Sequence, residues 1–185
     1  MSANRSLFTR IRLVPCIRQV TAPTVTCRRQ VTGSRPEAGM YHTIVRAKTR
    51  RIWARMARGD YRAAVDMAAP TVRFRFVGDA APAAELVGRD AFEQWFADLY
   101  RLLPDLRLRL TDVVAKGWPW KTTVVVRLAV TATLADGSRY ENEGVQWVTL
   151  RWGRMVDDYV LEDTARLAAA IERQHHAVAQ AAGGR

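Results

Sequence analysis

From residue 70 onward, apolar and polar residues alternate along much of the chain. Over residues 71–77, Val72, Phe74 and Phe76 alternate with Arg73 and Arg75, the period of a half-buried strand. Leu106, Leu108 and Leu110 alternate with Arg107 and Arg109 over residues 105–114, and Gly117-Trp118-Pro119-Trp120 turns that strand toward the next, residues 122–134. A tight Asp136-Gly137 turn leads to a strand from Arg139, which hinges near Gly153 into another strand that ends at Glu162. Three antiparallel strands are therefore read in succession.

Helical spacing marks the remainder. In residues 41–58, Ile44, Ile52, Trp53 and Met56 form the apolar side of an arginine-studded helix that Gly59-Asp60 ends. A short helix follows over residues 61–68. Gly88-Arg89-Asp90 opens a third helix whose core face is Phe92, Trp95, Phe96 and Leu99. A closing helix runs from Asp163 or Thr164 to about Ala179. Helices first, then strands with one helix inserted, predict an α+β domain in which a curved antiparallel sheet wraps helices.

Composition sets the limits of that domain. The chain has 185 residues, 49% of them apolar, and six Trp, enough for one globular core. A domain over residues 40–180 with a loose tail at 181–185 is expected. Of the net charge of +11, residues 1–39 contribute seven Arg against one Glu. That segment has no hydrophobic period and reads as a disordered basic extension. Its composition resembles a transit peptide, and it is equally explained if Met40 is the true first residue. Both cysteines, Cys16 and Cys27, lie within it, so the domain has no disulfide framework and no thiol nucleophile. A reducing, cytoplasmic setting is expected. No stretch approaches the roughly 20 apolar residues of a membrane span, so no membrane partner is expected.

Several chemistries lack their residues. Ser138, the domain's one serine, sits in a hairpin turn, where a Ser-His-Asp nucleophile is implausible. His42, His175 and His176 have no metal-ligand spacing, and no Gly-rich phosphate loop is present, so neither metal nor cofactor is expected. Arg151-Trp152 and the Arg107, Arg109 alternation read as solvated strand faces rather than a nucleic-acid surface.

What remains is a polar row on the meander. With Asp136-Gly137 as a two-residue loop, Arg127 falls opposite Gln146, Ala129 opposite Gly144 and Thr131 opposite Asn142. A turn centred on Trp152 places Asp158 beside Gln146 and Val160 beside Gly144. One row then reads Arg127, Gln146, Asp158. The opposite face holds Val126, Leu128, Val145, Trp147, Met155, Tyr159 and Leu161. Either face can meet the helices, and periodicity alone does not choose between them.

Over residues 40–172 the chain resembles the SnoaL-like branch of the nuclear transport factor two-like superfamily. The resemblance rests on the Gly59-Asp60 helix break, Phe74-Arg75-Phe76-Val77-Gly78, Gly88-Arg89-Asp90-Ala91-Phe92, Asp136-Gly137, Gly153-Arg154-Met155 and Tyr159-Val160-Leu161-Glu162-Asp163, in that order and spacing. It implies a cone-shaped, cystatin-like α+β barrel with one sheet face directed at a pocket beneath the helices. On the family pattern the inward face is the one with Arg127, Gln146 and Asp158. Relatives include polyketide cyclases, ketosteroid isomerases, limonene epoxide hydrolases and non-catalytic binders. Similarity to the hydrolase implies a functional arginine at Arg127, but its two carboxylates fall on Ala129 and Val160. The isomerase's base falls near Phe76 and its phenolic donor near Ile52.

The resulting expectation is an apolar pocket of Ile52, Phe74, Phe76, Phe92 and Trp95 for a small, mostly apolar molecule. Arg127 and Asp158 are its candidate catalytic pair, with Asn142 and Gln146 as candidate ligand contacts. For Arg127 and Asp158 a structural ion pair bridged by Gln146 is favoured over a ligand contact, and catalysis, as a lyase, isomerase or hydrolase with Asp158 as the acid–base residue, ranks below both. A homodimer through the outer sheet face is expected, and a dimerising, non-catalytic module is the alternative function. A buried Asp158 with an elevated pKa would favour chemistry. Asp158 locked against Arg127 would favour the module.

Overall fold

The computed structural model of the protein describes residues 36–78 and 82–183. The elements are α1 Pro36–Met56, α2 Arg62–Val65, β1 Ala68–Phe76, β2 Ala84–Val87, α3 Arg89–Leu102, β3 Arg107–Trp118, β4 Lys121–Thr133, β5 Arg139–Arg151, β6 Arg154–Glu162 and α4 Thr164–Gly183. The expected basic extension, residues 1–39, lies outside the described residues except for its last four. Those are helical, because α1 starts at Pro36, where a proline's missing N–H breaks no intrahelical bond.

The six strands form one curved open sheet in the order β2-β1-β6-β5-β4-β3. The class and the wrapping of helices are as the pattern predicts. Within the sheet, β1 runs parallel to β6, while every other neighbouring pair is antiparallel. The parallel pair arises because α3, β3, β4 and β5 intervene between β1 and its neighbour β6, a crossover that a hairpin cannot make. Residues 84–87 form the short edge strand β2.

Helices α1 and α3 cover the concave face, α1 along β3 and α3 against β1. The buried stripe of α1 runs through Val45, Trp53 and Met56, with Tyr41 and Ile52 partly buried beside it. Ile44, expected on that stripe, is exposed: the 3.6-residue period from Trp53 reaches back to Val45 instead. From α3, Phe92, Phe96 and Leu99 turn inward. Phe74 of β1 contacts Phe92 at 4.9 Å and Trp95 at 4.6 Å between ring centroids, in tilted geometry that suits aromatic quadrupoles. Each such ring contributes about 2–3 kcal/mol by leaving water.

Helix α4 is capped by Asp163, whose Oδ1 accepts the Arg166 N–H at 3.0 Å. It buries Leu167, Ala170, Ile171 and Gln174. Gln174 ties three elements together, accepting from the Ala135 N–H at 2.7 Å and donating to the Leu102 carbonyl at 3.1 Å.

Candidate functional site

Two turns decide which side chains enter the cone. Between β4 and β5 the Gly137 N–H donates to the Leu134 carbonyl and the Leu134 N–H to the Ser138 carbonyl, both at 2.9 Å. The loop is therefore three residues, Ala135-Asp136-Gly137, with Gly137 at φ +80° supplying the left-handed conformation that this loop requires. One residue more than expected shifts the pairing by one. Val126 faces Gln146, Arg127 faces Val145 and Leu128 faces Gly144. Since strand side chains alternate, every β4 residue changes face.

Arg127 accordingly stands outside the cone. Its Nη2 donates to Glu143 Oε2 at 2.6 Å, with the side chain 62% exposed. The expected row of Arg127, Gln146 and Asp158 does not form, and Arg127 reaches neither Asp158 nor the cavity. Val126 and Leu128 take the inward positions.

The second turn is the two-residue Trp152-Gly153 loop, with both residues at positive φ, followed by a bulge at Val156. Val148 faces Asp158, Gln146 faces Val160 and Gly144 faces Glu162. This register lies two positions from the expected one, so Asp158 keeps its inward face and stays diagonal to Gln146. Met155, on the turn side of the bulge, moves from the expected outer face into the core.

Asp158 is thus buried, at 2% exposure, with no ion-pair partner among the described residues. Gln146 Nε2 donates to its Oδ2 at 2.9 Å, while Oδ1 has no partner among the described residues. Arg73, on the neighbouring strand, bonds Asp157 on the outer face instead. Burial pushes the Asp158 carboxyl up to about 7; the Gln146 hydrogen bond opposes this and the neighbouring Asp157 charge adds to it.

Glu162 lies on the same strand face with Val160 between them, about 13 Å further along the backbone. Burial also pushes its carboxyl up to about 7, although part of the side chain reaches the surface. Its Oε2 accepts from Asn142 Nδ2 at 3.3 Å, and the same amide nitrogen donates to Tyr140 Oη at 2.9 Å and to the Asp163 carbonyl at 3.1 Å. Tyr140 is fully buried, and desolvation followed by the Glu162 charge raises its phenol well above the usual range.

A cavity of ≈ 40 Å³ brings these groups together. Its wall includes Trp53, Phe74, Phe76, Trp95, Gln146, Asp158 and Glu162. A second cavity of ≈ 30 Å³, lined by Thr49, Ile52, Val126 and Leu150 among others, shares Trp53, Met56 and Gln146 with the first. Of the expected lining, Phe74, Phe76 and Trp95 border the first cavity and Ile52 the second. Phe92 packs behind Phe74 and borders neither, and Asn142 stands behind Glu162. Glu162 was not anticipated; its signal was its period-two spacing from Asp158.

Two carboxyl groups held near pKa 7 on one apolar wall can act as a proton donor and a proton acceptor at neutral pH. The cavities hold water-sized contents. A ring-sized ligand requires side chains such as Trp53, Met56 or Trp95 to move aside.

The SnoaL-like domain family model matches residues 49–158, more than half of the chain. No protein of curated function matches the sequence. Among solved structures, TerC, crystallised with polyporic acid, is similar with a TM-score of 0.59 at 19% identity, over 69% of this chain and 97% of TerC. A candidate SnoaL-like polyketide cyclase from a Jannaschia species gives 0.58 at 18% identity, over 70% of this chain and 92% of that one. IdmH, a candidate polyketide cyclase from Streptomyces antibioticus, gives 0.53 at 17% identity, over 71% and 97%. At these identities the structures establish the shared fold. With the family match over residues 49–158, the chain is a member of the SnoaL-like domain family.

Proposed function

We propose that the protein binds a small, mostly apolar, carbonyl-bearing molecule in the cone and performs acid–base chemistry on it, in a cyclase- or isomerase-type reaction, with Asp158 as principal proton donor and acceptor. The observation that carries this reading is Asp158 Oδ1, which faces an apolar cavity with neither a hydrogen-bond partner nor a cation among the described residues. A fold without use for that carboxyl would be more stable with a neutral apolar side chain there. Gln146 holds Oδ2, so the proton on Oδ1 is free to bond a substrate oxygen. Glu162, oriented through Asn142, serves as the second acid–base group at the other end of the wall.

Arg127 has no part in this site. The reading keeps the protein in the cytoplasm, where Cys16 and Cys27 stay reduced. It also takes the protein as a homodimer, because Val145, Trp147, Tyr159 and Leu161 are exposed on the outer sheet face.

Polyporic acid, the compound crystallised with TerC, is the first probe. Binding measured by calorimetry is expected to depend on pH through the Asp158 and Glu162 carboxyls, both near 7, and Asp158→Asn should reduce that dependence while Glu143→Gln leaves it unchanged. If a panel of polyketide-like and quinone-like probes raises no pH-dependent binding that Asp158→Asn alters, the reading is wrong.

A further inference from the structure

We propose that the turns of the β3–β4 and β5–β6 hairpins form a docking surface for an anionic lipid bilayer. Trp118 and Trp120 flank Pro119 in the first turn, and Trp152 opens the second. Their exposures are 42%, 56% and 73%. The rings form one cluster, with Trp118 and Trp120 stacked at 5.7 Å and Trp120 and Trp152 at 6.4 Å between centroids. The two turns are held side by side by the Trp152 N–H donating to the Pro119 carbonyl at 2.6 Å. Large aromatic rings gathered at exposed turns have the amphipathic character of residues that settle at bilayer interfaces.

Charge selects the partner. Residues 39–59, 113–135 and 144–156 contain no Asp or Glu. Lys116, Lys121, Arg151 and Arg154 are exposed within or beside the turns, and Lys48 of α1 brings its Nζ to 4.0 Å from where a Gly153 Cβ would stand. At the rim, Arg154 bonds the main-chain oxygen of Asp66 at 2.9 Å. Such a cationic ring around aromatic turns complements anionic head groups.

The N-terminal part of α1 touches this hairpin, with Tyr41 Oη 2.6 Å from Thr122 Oγ1 and His42 Nε2 2.8 Å from the Gly117 carbonyl. Residues 1–39 contain seven Arg and one Glu, so the full chain carries further positive charge that adds to its attraction for an anionic membrane.

Trp152 supplies an independent argument. Its φ of +51° lies in the left-handed region, which a bulky residue occupies under strain. A two-residue turn of this kind is served best by Asn-Gly. The tryptophan gains little packing in return, so folding alone does not account for it. Single-stranded nucleic acid fits less well: base stacking needs open ring faces along a groove, whereas Trp118 and Trp120 cover one another, 5° from parallel.

Full-length protein should be tested with phosphatidylcholine vesicles with and without phosphatidylglycerol, some carrying brominated chains. Anionic vesicles should bind about tenfold or more tighter than neutral ones, less so as salt rises, with bromine quenching of tryptophan emission. Trp120→Ser with Trp152→Ser should weaken binding about tenfold and abolish the quenching, while Val178→Ser at an exposed position of α4 keeps both. Trp152→Asn should bind vesicles more weakly yet melt no lower than the wild type, which separates lost docking from lost folding. Unchanged binding of the double variant, absence of quenching, or tighter binding to oligothymidylate than to anionic vesicles would each overturn the proposal.

Discussion

Gln146 Nε2 donates to Asp158 Oδ2 at 2.9 Å, and this is the one hydrogen bond to the Asp158 carboxyl among the described residues. A single neutral donor offsets little of the desolvation of a buried carboxylate, so the protonated form is favoured up to near neutral pH. The pair also sits where the two cavities meet, since Gln146 borders both. A ligand in either cavity meets the amide, and one in the larger cavity meets the acid.

Stability should depend on pH through Asp158. Its folded-state pKa, about 7, lies above the unfolded value of about 3.9, so between these values the folded protein holds a proton that the unfolded chain has released. The group's contribution is greatest below about pH 4, falls as pH rises and is flat above about 7; the loss is of order 4 kcal/mol. Asp158→Asn, uncharged throughout, should match the wild type at pH 4 and exceed it by a few kcal/mol at pH 8 in urea denaturation. A variant less stable than the wild type at pH 8 would mean that the ionised carboxylate has a partner.

Arg127→Ala should be nearly silent. The Arg127–Glu143 pair is exposed on both sides, where water and salt screen it and such pairs add little to stability. Chemical denaturation at low and high salt would show an unchanged midpoint, and a large fall in the midpoint would return Arg127 to the interior.

Gly144→Ala should strike the site from beneath. A Cβ there would stand 2.8 Å from Glu162 Cγ and 3.0 Å from the Leu161 carbonyl oxygen. Because the backbone oxygen cannot swing away, the change should cost about 1–3 kcal/mol and displace the Glu162 carboxyl. A crystal structure of the variant with Glu162 still bonded to Asn142 and an unchanged melting temperature would contradict it.

Trp147→Arg should convert a dimer to monomers in sedimentation. Trp147 and Tyr159 are opposite neighbours on the exposed face, and a buried arginine pair across a two-fold axis would be repulsive. An unchanged dimer would place the interface elsewhere.

The elements were legible in the sequence because each rests on a local period: Val72, Phe74 and Phe76 on two, and Phe92, Phe96 and Leu99 on three and four. The pairing of β1 with β6 was not, since no local signal links strands so far apart in the chain. The site was legible as far as Asp158 and Gln146, which two turn errors left on the correct face. Arg127 was misplaced by one loop residue. Asp136-Gly137 suits a two-residue turn, whereas the observed turn includes Ala135 and places Gly137 alone in the left-handed position. The bulge at Val156, which moved Met155 inward, has no glycine to announce it.

Asp158 is a buried acid facing the cavity with no cation beside it among the described residues, and its own titration tests this most directly. Carboxyl carbon shifts in protein labelled with ¹³C at aspartate, assigned by loss of the signal in Asp158→Asn, should show one aspartate titrating near pH 7 and shifting when a cavity ligand binds. An Asp158 signal that titrates in the ordinary range near 4, and does not respond to any ligand that binds the protein, would contradict the account.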